Sequence, residues 1–262
     1  MNKFIIIIFI AFNFCQVSAG TDGNNSLSDK NRPEEINDCF EGLNRSIFSF
    51  NKGLDDVVFE PLAKAYRALP SPIRNGTSNV VSNLSNLLTI PNNILQGDLK
   101  EAGTNTMRLA VNSTVGVLGL FDVASSIGFS EYKKEDYGQT LAVLGVSPGC
   151  YIVMPILGPS TLRDTVGSFA SMGLELNPWH NITVQRDTHH FGDFDYYGSR
   201  GANALDFRAK NIESFENLEK NSMDFYTSVK SLYLQDRSQK ILNSKKSTST
   251  QNDEDWEEIE SK

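Results

Sequence analysis

Apolar residues at Ile36, Phe40, Leu43, Ile47, Phe50 and Leu54 recur at spacings of four and three. That spacing lays them on one face of a helix, and Phe48 widens the face. Pro33, Glu34 and Glu35 suit its start. Phe40, Leu43, Ile47 and Phe50 are therefore expected to form a buried or lipid-facing stripe. A second helical pattern covers Leu62 to Leu69 and stops at Pro70-Ser71-Pro72. A third runs from about Ile73 to Leu88. Pro91 is expected to interrupt it, leaving a short helix from Asn92 to Leu95 that ends at Gly97. Another follows from Leu99 to Val111.

The middle of the chain reads differently. Val115 to Ala124 is apolar except for Asp122 and is loosened by Gly116 and Gly119. A second apolar zone, Leu141 to Leu157, is broken by Gly145, Pro148, Gly149 and Pro155. The first zone is too short for a spanning helix and the second is wrongly punctuated. A globular core explains both; partial immersion in one membrane leaflet is the sharper reading. From Ser160 the pattern is helical again, to about Leu176. A last helix is expected from about Ala202 to Leu242, with a bend near Asn221-Ser222. Alternating runs are scarce. The reading is a mainly α single domain over residues 34–242, with few or no strands.

The ends carry other signals. Lys3, the apolar run Ile5 to Phe12 and the small residues Val17-Ser18-Ala19 read as an export signal over residues 1–19. Residues 20–33 read as a polar linker and 243–262 as an acidic disordered tail. Cys15 stands where a lipoprotein would carry its lipid, but Phe14 before it fits that motif badly. Cleavage after Ala19 would leave Cys39 and Cys150 in an oxidising compartment. Whether those two pair is not decided by their positions in sequence.

Composition narrows function by exclusion. The net charge is −8, so the chain lacks the global basic field that nucleic acid binding exploits. It contains no nucleophile elbow, phosphate-binding loop, dinucleotide fingerprint or zinc-protease motif. His189 and His190 are adjacent, a spacing that does not suit a shared metal on a helix or strand. No enzyme activity, metal or cofactor is expected. Asp122, Arg163 and Asp164 are the polar residues of interest. Each lies beside an apolar zone, where a lone charge is costly unless paired. One reading is helix capping plus an internal ion pair. The other is a polar lining where a lipid head group passes.

A set of ordered blocks then carries a resemblance. They include Phe40-Glu41-Gly42-Leu43-Asn44-Arg45, Tyr66-Arg67-Ala68-Leu69-Pro70, Leu95-Gln96-Gly97 and Gly119-Leu120-Phe121-Asp122. Asp136-Tyr137-Gly138-Gln139-Thr140-Leu141, Gly158-Pro159-Ser160-Thr161-Leu162-Arg163-Asp164 and Tyr233-Leu234-Gln235-Asp236-Arg237 complete them. Together they resemble the MlaA/VacJ family over about Asp38 to Arg237. The resemblance implies a helical ring in the inner leaflet of a Gram-negative outer membrane, with an amphipathic central channel, and its blocks add Asn44, Arg45 and Gln139 to Asp122, Arg163 and Asp164 as candidates for the channel or its support. It implies removal of phospholipid from the outer leaflet and its delivery to a soluble periplasmic carrier, with a trimeric porin as partner. Family members are usually lipoproteins, and Cys15 departs from that pattern. A porin-associated scaffold and a lipid hydrolase are the competing readings.

Overall fold

The computed structural model describes the backbone of residues 36–173 and 193–260, and side chains over 36–170 and 201–245. The export signal, the linker, Cys15, His180, His189 and His190 lie outside the described residues. Helix α1 spans Glu41–Leu54 and passes through a π-helical turn, Asp55–Phe59, into α2, Glu60–Arg67. Helix α3 spans Ser71–Gln96 and α4 spans Leu99–Thr114. Two short helices follow, α5 (Val123–Ser126) and α6 (Tyr137–Val143). Strands β1 (Tyr151–Met154) and β2 (Gly158–Thr161) form one antiparallel hairpin, pairing Tyr151 with Thr161 and Met154 with Gly158. Helix α7 spans Leu162–Gly173, α8 spans Asp193–Lys210, α9 spans Ile212–Asn221 and α10 spans Phe225–Glu260. The described chain is mainly α, as the periodicity predicts.

Four boundaries differ from the sequence expectation. The first helix starts at Glu41, not near Pro33–Glu35. The residues before it run beside β1 instead: Tyr151 N–H donates to Asn37 O at 2.9 Å. Pro91 sits inside α3 and does not end it. An internal proline costs a helix about 3 kcal/mol. Packing of α3 against α4 and α6, where Asn93 is bonded to Asn105, Asn92 to Thr140 and Gln96 to Glu135 and Thr140, offsets that cost. The last helix is three. It breaks at Asn211 and again at Ser222, whose backbone is extended. Asp224 restarts it by accepting from Thr227 N at 3.3 Å. Finally, α10 continues to Glu260 through the segment expected to be disordered. Lys, Gln and Glu are good helix formers, and extending an existing helix needs no new nucleus.

Apolar clusters are small. Ala63, Ala209 and Ile212 join α2, α8 and α9, with Tyr66 and Leu205 against them. Tyr151, Val153 and Tyr226 join β1 to α10, flanked by Ile47, Phe48 and Tyr233. Cys39 and Cys150 form a disulfide, Cα–Cα 5.6 Å, which ties the entry of α1 to the entry of β1.

Candidate functional site

Helix α3 shows how the interior is made. Its buried positions include Asn83, Asn86, Thr89, Asn92, Asn93 and Gln96. Their spacing of three and four makes a polar stripe where a water-soluble helix buries an apolar one. Helix α4 answers with Asn105, Arg108 and Asn112. Asn105 Nδ2 donates to Asn93 Oδ1 at 3.0 Å, and Asn83 Nδ2 to Ser113 Oγ at 3.0 Å. On their outer faces Ile94, Leu95, Leu99 and Met107 are exposed. Among the described side chains, buried polar and charged residues outnumber buried apolar ones twenty to ten, while twenty-nine large apolar side chains are exposed. Water selects the opposite arrangement, whereas hydrocarbon surroundings favour this one.

The first apolar zone is a strongly exposed part of that surface. Val115, Val117, Leu118 and Phe121 all project outward, Leu118 at 75% exposure. Val117 (φ 53°) and Leu118 (φ 58°) adopt left-handed backbone, which side chains with a Cβ rarely do. Gly119 N–H to Asn112 O at 2.8 Å and Phe121 N–H to Gly116 O at 2.9 Å hold the loop in that shape. At Gly119 (φ 90°) a Cβ would lie 2.6 Å from that of Asn83, so only glycine fits. No helix among the described residues is long and apolar enough to cross a membrane.

The charged candidates sort into separate places. Arg163 and Asp164 meet Gln139 in one buried network, and the residue that joins them is Arg237 of α10. Arg163 Nε donates to Asp164 Oδ1 at 3.0 Å. Arg237 donates to both Asp164 oxygens, at 2.9 and 3.0 Å, and to both Asp136 oxygens, at 2.7 and 2.6 Å. Its Nη1 also reaches Gln139 Oε1 at 3.0 Å, so all five guanidinium N–H groups are engaged. Tyr233 OH donates to Asp164 Oδ2 at 2.8 Å. Tyr233 and Arg237 stand four apart on α10 and so share one face. The approach is close because α6 and α7 cross at glycines: a Cβ on Gly167 would lie 2.5 Å from Gly138 N.

The network extends inward from Gln139. Gln139 Nε2 donates to Glu135, which also accepts from Gln96 Nε2 at 3.1 Å and from Ser244 Oγ at 3.0 Å. Gln96 Nε2 continues to Thr140 Oγ1 at 3.0 Å, and Thr140 to Asn92 Oδ1 at 2.6 Å. Burial alone would raise both Asp136 and Asp164, but Arg237 outweighs it and holds each below the usual carboxylate range. Glu135 goes the other way. Burial pushes it up, and the hydrogen bonds from Gln96, Gln139 and Ser244, all neutral, do not reverse the shift.

Beside this network opens a cavity of about 250 Å³. Asp136, Asp164, Tyr233 and Arg237 form its polar side, with Ser160 and Ser168. Met154, Leu157, Pro159 and Phe169 form its apolar side.

Asp122 belongs to a different set. It caps α5 by accepting from Ser125 N at 3.2 Å, takes Asn112 Nδ2 at 3.0 Å and pairs with Arg108 Nη2 at 3.0 Å. No contact of Asp122 with Arg163 or Asp164 occurs among its described bonds. Asn44 is buried and pins β1: its Oδ1 accepts from Val153 N at 2.9 Å while Nδ2 donates to Tyr151 O at 3.1 Å. Asn51, two turns on, does the same for Met154 O and Ile156 N. Arg45 lies at the surface, paired with Glu41 and Asp224 and set 4.4 Å over the Tyr226 ring. Of the predicted stripe, Phe40, Leu43 and Phe50 are exposed and Ile47 packs against the Tyr151 cluster. Asp55, Asp56 and Glu60 bring three carboxylates together, but Arg208, Lys52 and Lys64 already bind them.

Arg237, Asp136, Glu135 and Arg108 were not singled out from the sequence. The usable signals were the four-residue step from Tyr233 to Arg237 and the Asn/Thr/Gln periodicity of α3.

The sequence profile of the MlaA lipoprotein family matches residues 36–240. The chain belongs to the MlaA family. Its curated relatives include an uncharacterized protein of Rickettsia conorii, 31% identical over 86% of this chain and 90% of that one. The intermembrane phospholipid transport system lipoprotein MlaA of Escherichia coli is 31% identical over 76% of each chain. A chain solved in work on the structural basis for maintenance of bacterial outer membrane lipid asymmetry has the same fold. The TM-score is 0.65 at 30% identity, covering 78% of this chain and 98% of that one. The resemblance carried by the ordered blocks is thus a family membership, and the mainly α architecture is the family's.

Proposed function

We propose that this MlaA-family chain is an intermembrane phospholipid transporter in the periplasmic leaflet of the outer membrane. It takes phospholipid that has strayed to the outer leaflet and hands it to a soluble periplasmic carrier, with a trimeric porin as its membrane partner. The apolar outer faces meet acyl chains. The polar interior, arranged as a helical ring around a channel, meets head groups. No bond is broken, so the work lies in shape and solvation. The observation that carries this reading is the inverted burial pattern: amides and ion pairs inside, large apolar side chains outside, and no spanning helix among the described residues. Such a body sits in one leaflet through its apolar faces.

The mature chain is proposed to begin at Gly20, held by those faces and not by a lipid on Cys15. Intact-mass analysis reporting a triacylated chain that starts at Cys15 would refute this. The transport reading is tested by deleting the gene and assaying outer-leaflet phospholipid. Accumulation that the native chain reverses is expected. Leu118→Asp places a charge on the most exposed side chain of the apolar loop. It should leave the fold intact and detach the protein from the membrane. An unchanged outer leaflet in the deletion strain would leave a porin-associated scaffold as the better account. Phospholipid breakdown products would favour a hydrolase.

A further inference from the structure

Asp136, Asp164 and Arg237 line the cavity, and Arg163 is bonded to Asp164. Arg163 and Arg237 bring two positive charges, and Asp136 and Asp164 bring two negative ones. Every N–H of Arg237 is already given to Asp136, Asp164 or Gln139. Arg163 is turned to Asp164 and to Val146 O. An anionic phosphodiester entering here finds every N–H of Arg237, the arginine of the described cavity wall, already committed, and it meets two carboxylates at close range. A head group that also carries an ammonium finds acceptors for it. The Asp136 side chain is about a third exposed, and carboxylate oxygens can accept beyond the bonds they hold. The ammonium of the same head group then offsets the repulsion between its phosphate and the two carboxylates, which an anionic lipid bears in full. Met154, Leu157 and Phe169 take the first part of the acyl chains. The volume, about 250 Å³, is below that of a pocket for a whole drug-sized molecule, so it suits a head group and not an entire lipid.

We propose that this cavity is a head-group subsite selective for zwitterionic over anionic phospholipid, and that Asp136 and Asp164 determine the selectivity. The inference rests on the transport reading above and adds the substrate class. Like charges brought together at a buried site cost enough to discriminate by tenfold or more.

The test uses the full-length protein extracted in detergent and exchanged against vesicles of equal phosphatidylethanolamine and phosphatidylglycerol. The protein is re-isolated and the retained lipids are counted by mass spectrometry. The native chain should retain phosphatidylethanolamine in excess. Asp164→Asn removes one negative charge and should move the ratio toward phosphatidylglycerol by about tenfold. Lipids on the outer faces are common to both proteins, so the change in ratio reports the cavity. If Asp164→Asn fails to fold, Ser168→Lys adds a cation to the wall and leaves Asp136, Asp164 and Arg237 in place, and should move the ratio the same way. A native ratio equal to that of the vesicles, or a folded variant that leaves the ratio unmoved, overturns the selectivity alone. Retention of no phospholipid at all by the native chain overturns the transport reading beneath it.

Discussion

Two regions of this chain handle charge in opposite ways. Between α1–α2 and α9, Lys52, Lys64 and Arg67 reach Glu219, Glu216 and Glu213 through side chains that all keep substantial contact with solvent. Around Asp164, the side chains of Arg163, Arg237 and Asp164 are almost fully buried. The first set behaves as ion pairs do in water: screened, mobile and individually weak. The second set has left water and stands only because each charge has a partner and each partner has hydrogen bonds. Identical residue types are thus a solvated fringe in one place and the keystone of a polar interior in the other. Surroundings, not residue type, decide which.

The largest effect should come from breaking the buried set. Arg237→Ala leaves Asp136 and Asp164 without their main cation, and uncompensated buried charge costs about 3–5 kcal/mol. Thermal denaturation in detergent should show a large loss of stability, with loss of transport following from it. Arg237→Lys should recover only part, because an ammonium cannot engage two carboxylates and Gln139 as the planar fork does. Stability equal to the native protein's would place the network outside the folding core.

Next is the covalent tie. The Cys39–Cys150 bond closes a loop of 111 residues, and loss of a bridge of that kind typically costs about 2–4 kcal/mol. Cys39→Ser with Cys150→Ser should lower the melting temperature. Adding reductant to the native protein should reproduce the shift and leave the double variant unmoved.

Glu135 gives a smaller, pH-dependent effect. Burial raises its pKa in the folded state, so between its unfolded value near 4.5 and that raised value the folded chain holds more protons than the unfolded one. Stability therefore falls as pH rises through that window. Glu135→Gln should remove this part of the fall and match or exceed the native protein at neutral pH. Asp136 and Asp164 act in the opposite sense. Their pKa values are depressed, so their contribution is present above the ordinary aspartate value and is lost as pH falls through the folded one. A pH profile in which Glu135→Gln ran parallel to the native protein throughout would show that Glu135 carries no folded-state shift.

The smallest effect belongs to the exposed pairs. Arg67→Ala should leave melting temperature, membrane association and lipid transport within the scatter of the native protein. A clear loss on that substitution would erase the contrast between the two regions.

Local pattern carried the helices because a three- and four-residue period depends only on neighbours in the chain. Leu99 to Val111 and the stop at Pro70 read correctly for that reason, as did the bend near Asn221–Ser222. Pro91 did not, because the packing that lets α3 continue through it comes from α4 and α6, which are separate helices. The ordered blocks also carried the family, since residue identity in sequence order is all that a family match needs. The candidate site was only partly legible. Gln139 was picked out by the ordered blocks, Arg163 and Asp164 by their position beside apolar zones, and they do share a network. The same argument placed Asp122 with them, but Arg108, fourteen residues earlier, holds it in a set of its own.

What the sequence determined by itself was therefore the mainly helical class, the MlaA family and the absence of familiar catalytic motifs. Each is written in residue identities or in short periods. Tertiary structure alone decided that the amide stripe of α3 points inward and the apolar faces outward. A periodic face has no sign until a neighbouring helix covers it. Tertiary structure alone also decided that Arg237, 73 residues beyond Asp164, neutralises it. Pairing between distant charges depends on where the folded backbone brings them, and here that is set by the glycine crossing of α6 and α7 beneath α10.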